Sequence, residues 1–307
     1  MNDDPSGNFA DRLCRAVEER KSAVVVGLDP HVDLLPPHLT EGLEAGDREG
    51  LAAVIRDFCI GIVDAVHDVV PAVKPQVAFF ERLGPPGYAA LEEVTNRART
   101  RGLLVVSDAK RGDIGSTARA YAEYHIGDAG ETGLGADAVT VNPYLGGDSL
   151  RPFVEYTGRG KGIFVLAKTS NTGSSDLQDR DIGGQPLYDA AAGLADDVGA
   201  ECIGERGYSA VGIVVGATYP AEAAALRRRH PRLLFLVPGY GAQGAGADDV
   251  AVCFDAAGLG AIVNASRSIL FAYRQEPFSP RQWAEAARAA AVSMSADIAA
   301  AVARRRD

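Results

Sequence analysis

Three charged residues lie close together in the segment SDAKRGDIGSTA, at Asp108, Lys110 and Asp113. Because alternate residues of a strand point to the same side, Asp108 and Lys110 face one direction if the strand continues through both. A lysine ammonium held in this way can stabilise a developing negative charge and then donate a proton to it. The same residues could instead cap a helix and pair on a surface, so the motif alone leaves both interpretations open.

Other polar residues follow further apolar segments of the chain. They are Asp29, Lys74, Ser170, Gln243 and Arg267. The glycine-rich segment 238–247, followed by Arg267, can bring backbone N–H groups and a guanidinium to an anion, which predicts a phosphate site. A flexible surface loop is the alternative interpretation of such a glycine-rich stretch.

Eight short apolar segments, each followed by turn residues and a helix-like stretch, show the pattern of βα units. We predict strands at 23–29, 71–76, 103–110, 136–143, 162–168, 210–217, 233–239 and 261–266. Helices are expected over 50–69 and 86–101, from Pro220 onward and over 280–307. Eight such units favour an α/β fold of the closed (β/α)8 type, the TIM barrel, over a doubly wound sheet.

The same pattern predicts one domain over residues 1–307, with a short flexible N-terminus at about 1–8. The connections at about 30–41 and 171–200 are longer than a minimal βα link. In a barrel, such insertions decorate the catalytic face, where the C-terminal strand ends meet. The polar residues named above are therefore expected to share one site.

The bulk composition excludes several classes of protein. A formal net charge of -10 argues against a general nucleic-acid-binding surface. The four cysteines and five histidines lack metal-ligand spacing, so no metal site is expected. The polar, acidic N-terminus is unlike a signal peptide, and no uninterrupted apolar run approaches a membrane span, so we predict a cytoplasmic protein without membrane contact.

The segment DAKRGDIGSTA resembles the D-x-K-x-x-D-I-x-x-T signature of the orotidine 5′-monophosphate decarboxylase family. Leu28–Asp29, Val73–Lys74, PGYGAQG and SRSI follow in the family's order, so the resemblance covers about residues 23–274. It implies a (β/α)8-barrel enzyme of de novo pyrimidine biosynthesis, most similar to a longer bacterial subgroup. Such enzymes convert orotidine 5′-monophosphate (OMP) to UMP and CO2 without a cofactor or a metal.

The resemblance also implies roles for individual residues. Lys110 would protonate C6, Asp108 would lie beside the substrate carboxylate, Lys74 would bridge Asp108 and the ribose, and Asp29 would hold a ribose hydroxyl. Gln243, on a closing loop, would touch the phosphate and a serine of the strand-5 loop. That serine corresponds to Ser170, with Thr169 as the alternative.

In the family, the second aspartate of the signature crosses a dimer interface. The resemblance therefore implies that Asp113, Ile114 and Thr117 complete the neighbouring subunit's site and that the protein is an active homodimer.

Two other functions remain to be weighed. Barrel relatives such as hexulose-phosphate synthases share D-x-K-x-x-D but need carboxylates to hold Mg²⁺, and Lys74 would repel that ion. A nucleotide-binding protein without catalytic activity would be expected to lack one of the charged residues, yet Lys74, Asp108, Lys110 and Asp113 are all present. The decarboxylase is the favoured interpretation.

Overall fold

The computed structural model describes residues 7–128, 133–241 and 244–305. Its eight strands pair in parallel and in sequence order, and β8 closes on β1 to form a barrel. The strands are β1 Val24–Leu28, β2 Ala72–Pro75, β3 Leu104–Arg111, β4 Ala138–Val141, β5 Gly162–Lys168, β6 Val211–Val215, β7 Phe235–Pro238 and β8 Ala261–Ala265. All eight predicted strands and the predicted TIM barrel are confirmed.

Helices surround the barrel, and all but the first follow a strand. They are α1 Phe9–Arg20, α2 Pro37–Thr40, α3 Arg48–Val66, α4 Ala78–Glu81, α5 Pro85–Thr100, α6 Gly115–Ile126, α7 Gly147–Val154, α8 Leu187–Val198, α9 Pro220–Arg229, α10 Ala247–Ala251, α11 Arg267–Leu270 and α12 Trp283–Arg304. The helices predicted over 50–69 and 86–101, from Pro220 and in the C-terminal segment are confirmed within a few residues at each end.

Helix α1 precedes the barrel and was not predicted. The side chain of Asn8 caps it by accepting from the N–H of Ala10 over 2.8 Å. Phe9 lies against Gly162, at the N-terminal end of β5, and meets the ring of Phe164 edge-on at 6.0 Å. The helix therefore packs at the end of the barrel opposite the C-terminal strand ends.

The core lies between the strands and the inner faces of the helices. Strands β1, β2, β4, β6 and β8 are buried along their whole length, as parallel strands covered by helices require. Helix α3 contributes one apolar face, on which Ile55, Phe58 and Ile62 are fully buried. This packing supplies the rigid scaffold on which the strand ends carry polar side chains.

The two long connections differ in how much regular structure they contain. The first, after β1, contains a 3₁₀ turn at Val32–Leu34 and the short helix α2 before Asp47 caps α3. The connection expected over 171–200 is shorter than predicted, because α8 already begins at Leu187. Residues 188–198 form an amphipathic helix there, which their mixture of polar and apolar residues did not reveal.

One segment, Pro280–Arg304, is long and apolar enough to cross a membrane, since 18 consecutive residues of it have a mean hydropathy of 1.3. The sequence analysis did not predict such a segment, because it considered only uninterrupted apolar runs. Its helix, α12, packs on the barrel's outer layer: the ring of Trp283 lies 4.9 Å from that of Phe58, and Ala286, Met294 and Ile298 are buried. Core helices of globular proteins share these properties, and we interpret α12 as part of the outer ring.

Candidate active site

A cavity of about 730 Å³ opens at the C-terminal ends of the strands, and all eight strands or the loops that follow them contribute to its wall. This is the end of a barrel at which active sites are built. The structure brings the following predicted residues together around it: Asp29, Lys74, Asp108, Lys110, Thr169, Ser170 and Arg267.

Asp108 is the centre of a hydrogen-bond network at the floor of the cavity. Its Oδ1 accepts from Lys110 Nζ over 2.6 Å and from Thr140 Oγ1 over 3.0 Å. Its Oδ2 accepts from Lys74 Nζ and, over 3.1 Å, from Gln76 Nε2. One buried carboxylate thus orients two lysines, and neighbouring side chains occupy both of its oxygens.

The charges of this network determine its protonation. Burial alone would raise the pKa of Asp108, but the ammonium groups of Lys74 and Lys110 outweigh it and hold that pKa below its usual range. Burial likewise opposes the charged form of Lys74, yet the carboxylates of Asp108 and Asp29 raise its pKa. The network is therefore an alternating array of fixed charges.

The backbone of Lys110 departs from a regular strand. Its φ is +50°, in the left-handed region, and the register between β3 and β4 shifts between Ser107 and Arg111. Strand β3 nevertheless continues through both residues, and Asp108 and Lys110 both face the cavity, as strand alternation predicts. The irregular backbone at Lys110 was not predicted. The Lys110 N–H donates to Thr140 Oγ1 over 2.9 Å, which supports this conformation.

The sequence interpretation missed Gln76, Thr140 and Asn264, which also line the cavity. Gln76 lies two residues after Lys74, so strand alternation could have placed it on the same face. Thr140 and Asn264 are single polar residues in the buried strands AVTV and AIVNA. A lone polar residue near the C-terminal end of a barrel strand is the signal that could have identified both.

The cavity wall on the side of β5, β6 and β7 is apolar. Leu166, Val214 and Leu236 line the cavity there. Because an apolar wall keeps water away, charges placed opposite it interact more strongly than they would in solvent. The site combines charged groups on the β1–β3 side with a low-dielectric surface across from them.

The loops after β7 and β8 form one rim of the cavity. Gly239, Tyr240, Ser266 and Arg267 line it. Arg267 is exposed and makes no ion pair within residues 7–128, 133–241 and 244–305. A guanidinium without a carboxylate partner, next to a glycine-containing loop, is suited to an anionic group. Gln243, predicted to bind the phosphate here, lies outside the described residues.

The loop after β5 presents Thr169 and Ser170 to the cavity. Gln178 ties down Thr169: its amide donates to Thr169 Oγ1 over 2.8 Å and its carbonyl accepts from the Thr169 N–H over 2.9 Å. Ser170 Oγ makes no hydrogen bond to another described residue. The backbone at Ser170 lies close to Gly216. A Cβ at position 216 would be only 2.7 Å from the Cα of Ser170, so glycine is needed there. The geometry favours Ser170 over Thr169 for contact with a ligand.

Comparison with known proteins identifies the family. Residues 22–277 match the family model described as "Orotidine 5'-phosphate decarboxylase / HUMPS family". The chain is 47% identical over 294 residues to the orotidine 5′-phosphate decarboxylase of Rhodopirellula baltica, covering 94% of this chain and 97% of that one. The chain belongs to the orotidine 5′-phosphate decarboxylase family.

Solved structures agree with this membership. The Leishmania donovani OMP decarboxylase superposes with a TM-score of 0.73 at 37% identity, covering 96% of this chain and 99% of that one. The L. donovani UMP synthase superposes with a TM-score of 0.75 at 37% identity, again covering 96% of this chain. The chain spans only 57% of that longer protein. The predicted family, with its carboxy-lyase activity in pyrimidine biosynthesis, is confirmed.

Three residues of the family signature do not line the cavity of their own chain. Asp113 is half-buried and its Oδ1 accepts from the N–H of Ile114 over 2.8 Å. Ile114 and Thr117 are exposed on the loop and helix that follow β3. Within one chain, the structure does not bring these residues to the other members of the site.

A metal-dependent reaction would need a cluster of metal-ligating side chains at the site. Within the part of the chain that the structure describes, no three His, Cys, Asp or Glu residues are placed to hold a metal ion. Asp108 instead faces two lysine ammonium groups. Two ammonium groups therefore supply the positive charge beside this carboxylate.

Proposed function

We propose that the chain converts OMP to UMP and CO2, with Lys110 as the proton donor to C6. The observation that carries this proposal is the difference between the two lysines on Asp108. The Lys110 side chain is 45% exposed and faces the cavity, whereas that of Lys74 is 4% exposed. Both are charged, but Lys110 is the one that a ligand can reach directly.

The chemistry explains why such a lysine is needed. Loss of CO2 from C6 of the pyrimidine leaves an electron pair in the ring plane, where the π-system cannot delocalise it. An ammonium fixed beside C6 stabilises this charge as it develops and then donates its proton to the same carbon. Asp108 holds the ammonium in place and presents a negative charge close to the carboxylate that leaves.

One cation is not enough to account for enzymatic rates. At about 4 Å and an effective dielectric near 20, a pair of unit charges interacts by roughly 4 kcal/mol. Enzymes lower barriers by about 8–23 kcal/mol, so binding energy from remote groups must contribute as well. We assign this role to the 5′-phosphate, bound by Arg267 and Gln243 at the rim formed by the β7 and β8 loops.

The remaining contacts follow from the positions of the side chains. Asp29 and Lys74 lie at the ends of two adjacent strands, and both line the cavity. As the family resemblance implies, we assign them to the ribose. Ser170, on the β5 loop, would contact the pyrimidine. OMP and UMP are thus the proposed ligands. Purified protein should turn OMP into UMP, and failure to form UMP would contradict the assignment.

We further propose that the active form is a homodimer with shared sites. Asp113, Ile114 and Thr117 would reach the partner's cavity, because they do not line their own. Ile114, Tyr144 and Leu145 are large apolar side chains that are 56%, 78% and 49% exposed, on loops that adjoin through the Gly112 and Asn142 backbones. Such exposed apolar residues are typical of a surface that another subunit covers.

Mixing two inactive variants tests the shared site. Lys110→Ala and Asp113→Ala homodimers should both be nearly inactive, but a mixed dimer has one site with both residues intact. After random exchange of equal amounts, about half of the dimers are mixed, so activity should approach one quarter of wild-type sites, given two-fold symmetry. If mass measurements prove exchange while activity stays at the parents' level, Asp113 acts within its own chain.

The net charge of -10 supports an enzyme that binds no nucleic acid. The family's metabolic role supports a cytoplasmic location.

A further inference from the structure

Asn264 carries a buried amide oxygen that lacks a hydrogen-bond donor among the described residues. It lies on β8, is 7% exposed and lines the cavity, and its Oδ1 accepts no hydrogen bond from any described residue. Buried polar side chains nearly always have a hydrogen-bond partner, so an exception at a cavity wall needs an explanation. A ligand group with a donor would supply one.

Asp29 provides a second acceptor of the same kind. Its Oδ1 is also enclosed and accepts no hydrogen bond within the described part of the chain. Strands β1 and β8 are neighbours, with Val25 opposite Asn264. A Cβ built on Gly27 would lie 3.0 Å from Asp29 Oδ1, 3.0 Å from Asn264 Oδ1 and 2.1 Å from Ser266 Oγ. Three side-chain oxygens thus converge where Gly27 leaves room for them.

The position of this cluster along the cavity indicates which ligand group it meets. Asn264 lies three residues before Arg267, at the phosphate rim, and beside Asp29 on the adjacent strand. The part of a nucleoside monophosphate next to the phosphate is the sugar. Its hydroxyl groups are donors, whereas a phosphate dianion only accepts. The two acceptors without a donor, Asp29 Oδ1 and Asn264 Oδ1, match in number the two hydroxyl groups of a ribose.

We propose that Asn264 is a further substrate-binding residue, whose amide oxygen accepts a hydrogen bond from a sugar hydroxyl beside the one held by Asp29. This assignment rests on the proposed function, because it takes the phosphate to lie at Arg267. It explains why β1 carries glycine at position 27, since any larger residue would displace Ser266 and crowd both acceptors.

Binding of UMP and of its 2′-deoxy and 3′-deoxy analogues, measured by calorimetry, tests the proposal. Asn264→Ala should weaken UMP binding about threefold to tenfold, the worth of one hydrogen bond to a neutral group. For the deoxy analogue that lacks the hydroxyl bound by Asn264, the same substitution should weaken binding less than twofold, because that hydrogen bond is already missing. Equal losses for UMP and both analogues would overturn the proposal, as would wild-type protein that binds all three equally.

Thr95→Ala is the matched control. Thr95 is fully buried on α5, its Oγ1 also lacks a partner, and it does not line the cavity. It should leave all three affinities unchanged. If Asn264→Ala proves unstable on heating, Asn264→Ser is compared in the same way. Should wild-type protein not bind UMP, the proposed function itself fails; should it bind UMP with no Asn264-dependent hydroxyl preference, only this inference fails.

Discussion

The backbone of Lys110 is hydrogen-bonded to the side chain of Thr140 on the neighbouring strand, over 2.9 Å. The same hydroxyl donates to Asp108 Oδ1 over 3.0 Å. A non-glycine residue in the left-handed region costs on the order of 1–3 kcal/mol and persists only where its surroundings hold it. Thr140 therefore joins the strained backbone of the proposed proton donor to the carboxylate that orients its side chain.

Thr140→Val keeps the shape of the side chain but removes this hydroxyl. We expect kcat to fall about tenfold with a smaller change in KM, because the loss of one or two hydrogen bonds misplaces the ammonium without removing a binding group. Thr140→Ser should restore most of the activity. Steady-state kinetics of the three proteins check this, and a Val variant with wild-type kcat would show that Thr140 only packs.

Arg267→Ala should act on binding. Removal of a charge-assisted hydrogen bond to the phosphate should raise KM about 10- to 100-fold. Arg274→Ala is the matched control, since Arg274 is also exposed but does not line the cavity. Kinetics in which Arg267→Ala and Arg274→Ala have the same KM would place the phosphate elsewhere.

His125 should make the free energy of unfolding depend on pH. Burial, with a further contribution from Arg111, lowers its pKa from 6.5 to about 3. Between those pH values the unfolded chain binds a proton that the folded chain does not, so this contribution is lost as the pH falls from about 6.5 to 3, by roughly 1.4 kcal/mol per unit. His125→Gln should flatten this dependence in denaturant titrations at several pH values. An unchanged slope would mean that the pKa of His125 is the same in the folded and unfolded protein, which would contradict this prediction.

Much of the barrel could be predicted because each strand is a short apolar run that ends in turn residues. The signal is local, and it also places Asp108, Lys110, Lys74 and Asp29 at strand ends. Helix α1 was missed because it precedes the first βα unit and contains charged residues on its outer face. The start of α8 was missed because glycine and aspartate residues obscure the end of the loop before it.

The details of the site depend on tertiary contacts that no local pattern encodes. The left-handed φ of Lys110 lies within a register shift between β3 and β4, and a hydrogen bond to Thr140 stabilises it. The preference for Ser170 over Thr169 follows from Gln178, which lies nine residues away and folds back on Thr169. The unpartnered oxygen of Asn264 is visible only where β8 meets β1.

We propose that the ammonium of Lys110 carries the decarboxylation without a metal. The most direct test follows the ultraviolet absorbance of OMP with wild-type protein and with Lys110→Ala, both in excess EDTA, and measures UMP binding to each. We predict full wild-type turnover in chelator, and no measurable turnover by Lys110→Ala, which should still bind UMP. Wild-type activity that requires Mg²⁺, or turnover by Lys110→Ala near the wild-type rate, would contradict the claim.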